Sequence, residues 1–220
     1  MPNDTPVAIT YFGHSCLLVE VEDGDRVARL LLDPGNLTPS LDDVDPVDAV
    51  LITHGHPDHL DSGQLRRLRA KGAFSVFGPA DIEDQLNDLD VPFAAVEPGS
   101  FEVSGVTVVA RRSGHETLYP GFPLPENFGY EIAGRVFTPG DSLVVPTPQV
   151  EILLAPLAGP WMKLSQGIDF VRAVAPTTVV PIHDAGLAPA HRGLHRALFT
   201  EFAPEGTKLR TLDPFESLAI

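Results

Sequence analysis

Cysteine and basic residues are scarce in this chain of 220 residues. Cys16 is its single cysteine, so no disulfide bond can form within the chain, and we expect a reducing, cytoplasmic location. Lysine and arginine together number 15 against 30 aspartates and glutamates, which gives a net charge of −15. Such an acidic chain repels nucleic-acid phosphates and anionic membrane surfaces, so neither is an expected partner.

Long apolar runs are also missing. No stretch reaches the roughly 18 apolar residues that a membrane-spanning helix needs. Residues 1–6 have no basic region and no apolar core, so we expect no signal peptide. The 22 prolines are spread along the chain and predict turns, not a linker. The length suits one domain with a substantial core, and we expect residues 1–220 to form a single domain.

Three of the histidines are clustered within six residues. An H-x-H-x-D-H cluster, formed by His54, His56, Asp58 and His59, begins where the apolar run 49–52 ends. The apolar run predicts a short buried strand, so the cluster lies on a loop at the edge of a rigid scaffold. Imidazole and carboxylate are ligands for divalent cations such as Zn²⁺, Mn²⁺ or Fe²⁺. A surface loop with incidental histidines is the alternative, but the full pattern favours metal binding, with two ions sharing the loop.

Three further ligand-type residues follow predicted strands. His115 comes after the β-branched run 106–109, Asp141 after the strand-like residues 135–137, and His183 after another buried run. Strand ends converge on one edge of a sheet, where α/β scaffolds place their chemistry. These residues are therefore the expected partners of the histidine loop.

With these seven residues in this order, the chain resembles the metallo-β-lactamase superfamily from residue 9 to about residue 212. The resemblance implies a four-layer αβ/βα sandwich and two metal ions that share a bridging carboxylate. The first ion would be held by His54, His56 and His115, the second by Asp58, His59 and His183, and Asp141 would bridge them. The predicted element order, hairpins first and then strand–helix units, twice over, favours the same α/β sandwich.

Within that superfamily, residues 11–16 and 31–35 resemble the small stand-alone zinc-dependent hydrolases related to ascorbate-6-phosphate lactonase. The resemblance implies zinc as the metal, with manganese or iron as alternatives. Flavodiiron relatives carry glutamate where this chain has His56, so a redox di-iron site is disfavoured.

Six other residues are candidates for supporting the ligands or contacting substrate: His14, Asp33, Tyr119, Tyr130, Trp161 and Lys163. Asp33 would accept the second N–H of a ligand histidine, or simply form an Asp-Pro-Gly turn. His14 would tie the first hairpin to the metal loop or touch substrate. Trp161 would line a pocket or fill the core, and Lys163 would bind an anionic group or remain solvated.

The favoured function is a binuclear metallohydrolase that acts on a small ester, lactone or phosphoester through a metal-bridging hydroxide. Asp58 would also accept or pass a proton. A metal-binding regulatory domain without turnover, and an iron-dependent oxidoreductase or dioxygenase, are the alternatives. Two details of the fold are also predicted: a short helix over residues 79–87 and a last strand over residues 208–212.

Overall fold

The computed structural model describes residues 5–220, whose strands form two sheets. The first sheet contains β1 (Val7–Gly13), β2 (Cys16–Asp23), β3 (Arg26–Leu32), β4 (Ala49–Leu51), β5 (Ser75–Gly78), β6 (Phe93–Ala95) and β14 (Glu216–Ala219). The second contains β7 (Gly99–Val103), β8 (Val106–Arg112), β9 (Phe128–Ile132), β10 (Val136–Thr138), β11 (Ile152–Pro156), β12 (Thr178–Ile182) and β13 (Lys208–Leu209). The α-helices are α1 (Ser62–Arg69), α2 (Glu83–Leu86), α3 (Leu164–Val174) and α4 (Pro189–Phe202).

The two sheets repeat one plan. In the first, strand order is β14-β1-β2-β3-β4-β5-β6, with an antiparallel meander over β1 to β3 and parallel pairing from β3 to β6. In the second, order is β13-β12-β11-β10-β9-β8-β7, with a meander over β7 to β10 and parallel pairing from β10 to β13. Parallel neighbours bring their carboxyl ends to the same edge, which is where the predicted ligands follow their strands.

The layers follow from side-chain alternation along the strands. In β3, Leu30 and Leu32 pack between the sheets, whereas Leu31 packs with the apolar residues of α1 and α2. In β11, Leu154 faces the inter-sheet core, and Leu153 packs with residues of α3 and α4. Each such buried leucine stabilises the fold by roughly 1.5–3 kcal/mol relative to exposure. The layer order is therefore helix, sheet, sheet, helix, and the predicted sandwich is confirmed.

Helix α1 anchors the far end of the histidine loop. Its N-cap is Asp61, whose side chain accepts a hydrogen bond from the Gln64 backbone N–H at 2.8 Å, as aspartate does at this position. Leu65 and Leu68 bury its inner face. Within residues 5–220, no helix is long and apolar enough to cross a membrane.

The structure corrects two details of the sequence prediction. The segment predicted as a helix over 79–87 begins as a 3-10 turn, Ala80–Ile82, and its α-helical part ends at Leu86. The strand predicted over 208–212 is only two residues long, and β14 follows it and pairs with β1. The prediction missed β14 because this short, largely exposed strand has a weak apolar pattern, and its pairing partner lies some 200 residues away.

Candidate metal centre

The predicted ligands converge at the ends of four strands. His54 follows β4, His115 follows β8, Asp141 follows β10 and His183 follows β12. All four side chains are buried. Two groups of side chains each have ligand atoms within 4.8 Å of one another: His54, His56, His115 and Asp141 in one, and His14, Asp58, His59 and His183 in the other. All seven sequence-predicted ligands are thus brought together, and His14 joins them.

The histidine loop packs tightly on the segment after β3. The Asn36 N–H donates to the Pro57 carbonyl at 2.8 Å, and the Asp61 N–H donates to the Pro34 carbonyl at 3.0 Å. A Cβ atom placed on Gly35 would lie 1.9 Å from the Asp58 carbonyl oxygen. The Asp-Pro-Gly segment therefore forms a turn, and its glycine also allows the backbone to pack closely against the metal loop.

The hydrogen bonds of three histidines define which ring nitrogen faces the centre. The Nδ1 atom of His59 lies 2.8 Å from Asp33 Oδ2. The Nδ1 atom of His115 lies 2.6 Å from the Glu116 carbonyl oxygen, and that of His183 lies 2.6 Å from the Ala158 carbonyl oxygen. Since carbonyl and carboxylate oxygens only accept, each Nδ1 carries a proton and donates, so the lone pair of the neutral imidazole lies on Nε2. These three Nε2 atoms are buried without a hydrogen-bond partner among the described residues.

His54 shows the same preparation. The Thr53 hydroxyl donates to Asp33 Oδ2 at 2.8 Å, so its oxygen accepts from His54 Nδ1 at 3.0 Å. The Nε2 of His54 then lies 3.1 Å from Nδ1 of His56, within hydrogen-bond distance. In the other tautomer of His56, both nitrogens would present lone pairs to one divalent cation.

Asp141 presents one oxygen to each group. Its Oδ1 lies 3.2 Å from Nε2 of both His59 and His183, and its Oδ2 lies 3.4 Å from Nε2 of His115 and 3.9 Å from that of His54. Oδ1 is also buried without a hydrogen-bond partner in the described part of the chain. Buried acceptors that face other acceptors cost free energy unless a cation lies between them. This donor set therefore fits divalent metal ions.

Asp33 organises the support beneath the ligands. Its Oδ1 accepts the Thr53 backbone N–H at 2.8 Å, and its Oδ2 accepts both the Thr53 hydroxyl and His59 Nδ1. It is almost fully buried. The predicted role, a carboxylate that orients a ligand imidazole, matches these contacts, and Thr53 is an intermediary that sequence reasoning missed.

His14 supports Asp58 and is not itself prepared as a ligand. Its Nδ1 accepts the Ala185 backbone N–H at 3.4 Å, so Nε2 carries the proton and donates to Asp58 Oδ2 at 3.1 Å. With both ring nitrogens engaged, His14 holds the carboxylate in place. His14, Asp33 and His183 all adopt positive φ, at 52°, 41° and 57°, a backbone region that non-glycine residues rarely occupy and that clusters at functional sites.

Burial and neighbouring charges shift the pKa values of the cluster. Burial, and then the His59 imidazole, hold the pKa of His54 well below its ordinary value, which keeps it neutral and able to coordinate. Burial acts in the same direction on His59, but Asp141 and Asp33 outweigh it and raise the pKa of His59 well above its ordinary value. A second proton therefore competes with a cation for His59 Nε2, so metal binding weakens as the pH falls.

The remaining candidates differ in burial and in contacts. Tyr130 is fully buried, and its hydroxyl donates to the Ile52 carbonyl at 2.7 Å, so contact between Tyr130 and substrate is ruled out. Tyr119 is 74% exposed to solvent. Lys163 is exposed just before α3. Trp161 is buried, and its indole N–H donates to Asp141 Oδ2 at 2.7 Å. Sequence reasoning had considered it only as a pocket wall or core residue.

Asn127 is a supporting residue that sequence reasoning missed altogether. Its Oδ1 accepts the Asp141 backbone N–H at 3.1 Å, and its Nδ2 donates to the Pro139 carbonyl at 2.9 Å. A fully buried asparagine thus clamps the turn that carries Asp141. The only sequence signal is a polar residue directly before an apolar strand, which is too common to predict this role.

Comparison with known proteins agrees with this geometry. A model of the β-lactamase superfamily domain matches residues 8–183. The chain belongs to the metallo-β-lactamase superfamily. A Mycobacterium tuberculosis protein is 38% identical over 200 residues, which cover 88% of this chain and 91% of that protein. A metal-dependent hydrolase of Thermoplasma volcanium is 26% identical over 190 residues, with 80% and 83% of the two chains covered.

A solved structure shares the fold. A metallo hydrolase from the archaeon Ignicoccus hospitalis superposes with a TM-score of 0.75 at 21% identity and covers 98% of this chain and 99% of its own. The family match and the two ligand clusters together identify a metal-dependent hydrolase of the metallo-β-lactamase superfamily.

Proposed function

We propose that this protein is a binuclear metallohydrolase that cleaves a small ester, lactone or phosphoester. The observation that carries the proposal is the set of bare, buried ligand atoms: three Nε2 atoms and one Asp141 oxygen that face a common space without hydrogen-bond partners among the described residues. Two divalent ions, with zinc favoured over manganese or iron, suit nitrogen and carboxylate donors in this number.

The proposed ligands divide as the two clusters divide. His54, His56 and His115 hold the first ion, Asp58, His59 and His183 hold the second, and Asp141 contributes one oxygen to each. His14, with both nitrogens in hydrogen bonds, positions Asp58. Bound divalent cations would supply Lewis acidity and lower the pKa of a water molecule from 15.7 towards about 7.

Asp58 is the proposed acid–base residue. Its side chain is 29% exposed, in contrast to the buried Asp141, and it lines the cavity next to the ligands. In hydrolysis the water oxygen bonds to the carbonyl or phosphoryl centre, and the bond to the leaving oxygen breaks with its electron pair. Asp58 can accept the proton from water and return it to that leaving oxygen. Burial acts to raise the pKa of Asp58, but the His14 hydrogen bond and the neighbouring imidazoles outweigh it and lower that pKa, so the carboxylate is ionised.

The likeness to lactonases of the ascorbate-6-phosphate group supports including lactones among the substrates. The net charge of −15 supports small molecules over nucleic acids as substrates. The acidic charge therefore favours a small substrate, and the likeness adds lactones to the bonds to be tested.

The test is a substrate panel run on metal-loaded protein. Lactones, thioesters, carboxylic esters and phosphodiesters are each assayed with Zn²⁺ and with Mn²⁺, against His56→Ala and against a matched control, His191→Ala. His191 is exposed on α4, away from the cluster. We expect turnover of at least one bond class that His56→Ala abolishes and His191→Ala retains. Equal rates in the two variants would refute the proposed site.

A further inference from the structure

A cavity of about 430 Å³ opens directly beside the proposed second metal position. Asp58 and His183 form one end of it. The remainder is lined by aliphatic or small residues, among them Leu37, Pro160 and Leu187. A cavity of this size, next to the residue proposed to move the proton, is where the rest of a bound substrate would extend.

The charge distribution of the lining is one-sided. Its charged and titratable side chains, Asp58, His14 and His183, are gathered at the metal end. No lysine or arginine of the described residues lines this cavity. A phosphate or carboxylate held away from the metals would thus lack a cationic side chain to pair with. Burying a charge without a partner is costly.

Two arginines lie close to this cavity but outside its lining. Arg192 and Arg196 line a smaller adjoining cavity of about 190 Å³, and both contact Asp184 Oδ2, at 3.2 and 3.1 Å. Asp213 lines that cavity as well. Both guanidinium groups are thus engaged by the single carboxylate of Asp184, and both lie outside the lining of the 430 Å³ cavity. The arginine pair instead ties α4 to the turn that carries the ligand His183.

We infer that the substrate carries an uncharged, aliphatic arm beyond the bond that is cleaved, and that this arm lies against Leu37, Pro160 and Leu187. The inference rests on the proposed hydrolase function and narrows its substrate class. It sets aside substrates with a phosphate or carboxylate at the far end of the arm. The scissile group itself is still drawn to the metal end by coordination and charge.

Two esters that differ only in the end of the arm test the inference. One is 4-nitrophenyl hexanoate, and the other is the 4-nitrophenyl half-ester of adipate, which has a terminal carboxylate in place of the terminal methyl group. Both are assayed with zinc-loaded protein, and the uncatalysed rates are subtracted. We expect kcat/KM to be at least about tenfold higher for the hexanoate ester, because a site built on apolar contacts rejects an unpaired charge.

Variants of the lining residues test whether the preference for the hexanoate ester arises in this cavity. Leu37→Arg adds a cation to the lining at a half-exposed position, and Gly186→Lys does so at a second lining position, where a Cβ atom meets nothing within 4 Å. Leu194→Arg is the matched control, because Leu194 is equally exposed but lies on α4, outside the lining. We expect the first two variants to reduce the preference for the hexanoate ester several-fold, and the control to keep it.

The outcomes separate the inference from the function beneath it. Equal or better turnover of the adipate half-ester by the unmodified protein overturns the inference and leaves the hydrolase standing. A preference that Leu37→Arg and Gly186→Lys leave unchanged overturns the assignment to this cavity. Loss of all activity on both esters, with turnover confined to phosphodiesters, overturns the inference. No turnover of any bond class, at full metal occupancy, overturns the proposed function and the inference together.

Discussion

Replacing Asp33 with asparagine should switch the tautomer of His59 and weaken the second metal site. In the native arrangement Asp33 Oδ2 accepts from His59 Nδ1 at 2.8 Å, which leaves Nε2 bare. Asparagine keeps the size of aspartate and tolerates the φ of 41°. Its oxygen can still accept the Thr53 N–H, but its NH₂ group then faces His59 Nδ1. Two donors cannot share this contact, so the proton moves to Nε2, the ligand atom.

The magnitude follows from the loss of an orienting partner. Removing a partner of this kind costs about 10–100-fold in metal affinity, or roughly 1.4–2.8 kcal/mol. The metal-free protein should lose about 1–3 kcal/mol of its free energy of unfolding, because a buried charge-assisted hydrogen bond is replaced by a weaker one. The first site, which does not contain His59, should retain its ion.

The assay combines metal titration against a competing chelator with nitrogen NMR of the histidine tautomers. Asp48→Asn is the matched control, because Asp48 is exposed and accepts from the Arg29 backbone N–H just before β4, at the opposite end of that strand from the loop. Asp33→Asn should lower the affinity for one of two ions, and Asp48→Asn for neither. Unchanged affinity for both ions together with an unprotonated Nε2 at His59 would show that Asp33 does not set the tautomer.

Three further predictions concern metal content, catalysis and loop packing. Elemental analysis of fully metallated protein should give close to two equivalents of metal per chain. Asp141→Ala should lower the metal occupancy of both sites and the Tm together. Full occupancy of both sites in this variant would contradict a bridging role for Asp141. Asp58→Asn should reduce kcat by about 10²–10⁴-fold while the first ion stays bound, and near-normal turnover would move the proton transfer elsewhere. Gly35→Ala should destabilise the protein and loosen the metal loop, because the alanine Cβ would collide with the Asp58 carbonyl. An unchanged Tm together with an unchanged metal content would refute this close packing.

The metal centre was predictable from sequence because its signal is local. His54, His56, Asp58 and His59 lie within six residues and directly after an apolar run. The other ligands each follow a strand, and parallel strands bring such positions to one edge. Asp33 was predictable on the same grounds, as a carboxylate at a strand end.

Supporting contacts were predicted less well. Trp161 lies 20 residues from Asp141 in sequence, and its indole N–H reaches that carboxylate only because two loops meet above the sheet edge. Tyr130 follows an apolar pattern that also suits a pocket wall, yet β9 places its ring in the core. The direction of a side chain depends on strand register, and register is decided by pairing between distant segments.

The sequence by itself determined the layered α/β architecture and the chemistry of the ligands, because hydrophobic periodicity and residue type are local properties. The tertiary structure alone decided which ring nitrogen of His59, His115 and His183 is held in a hydrogen bond, and which residues form the apolar lining of the cavity. Most of these depend on contacts between residues far apart in the chain, such as Ala158 with His183 and Asp33 with His59. Packing selects such contacts among many that the sequence allows, and for that reason the nature of the substrate arm could be inferred only from the fold.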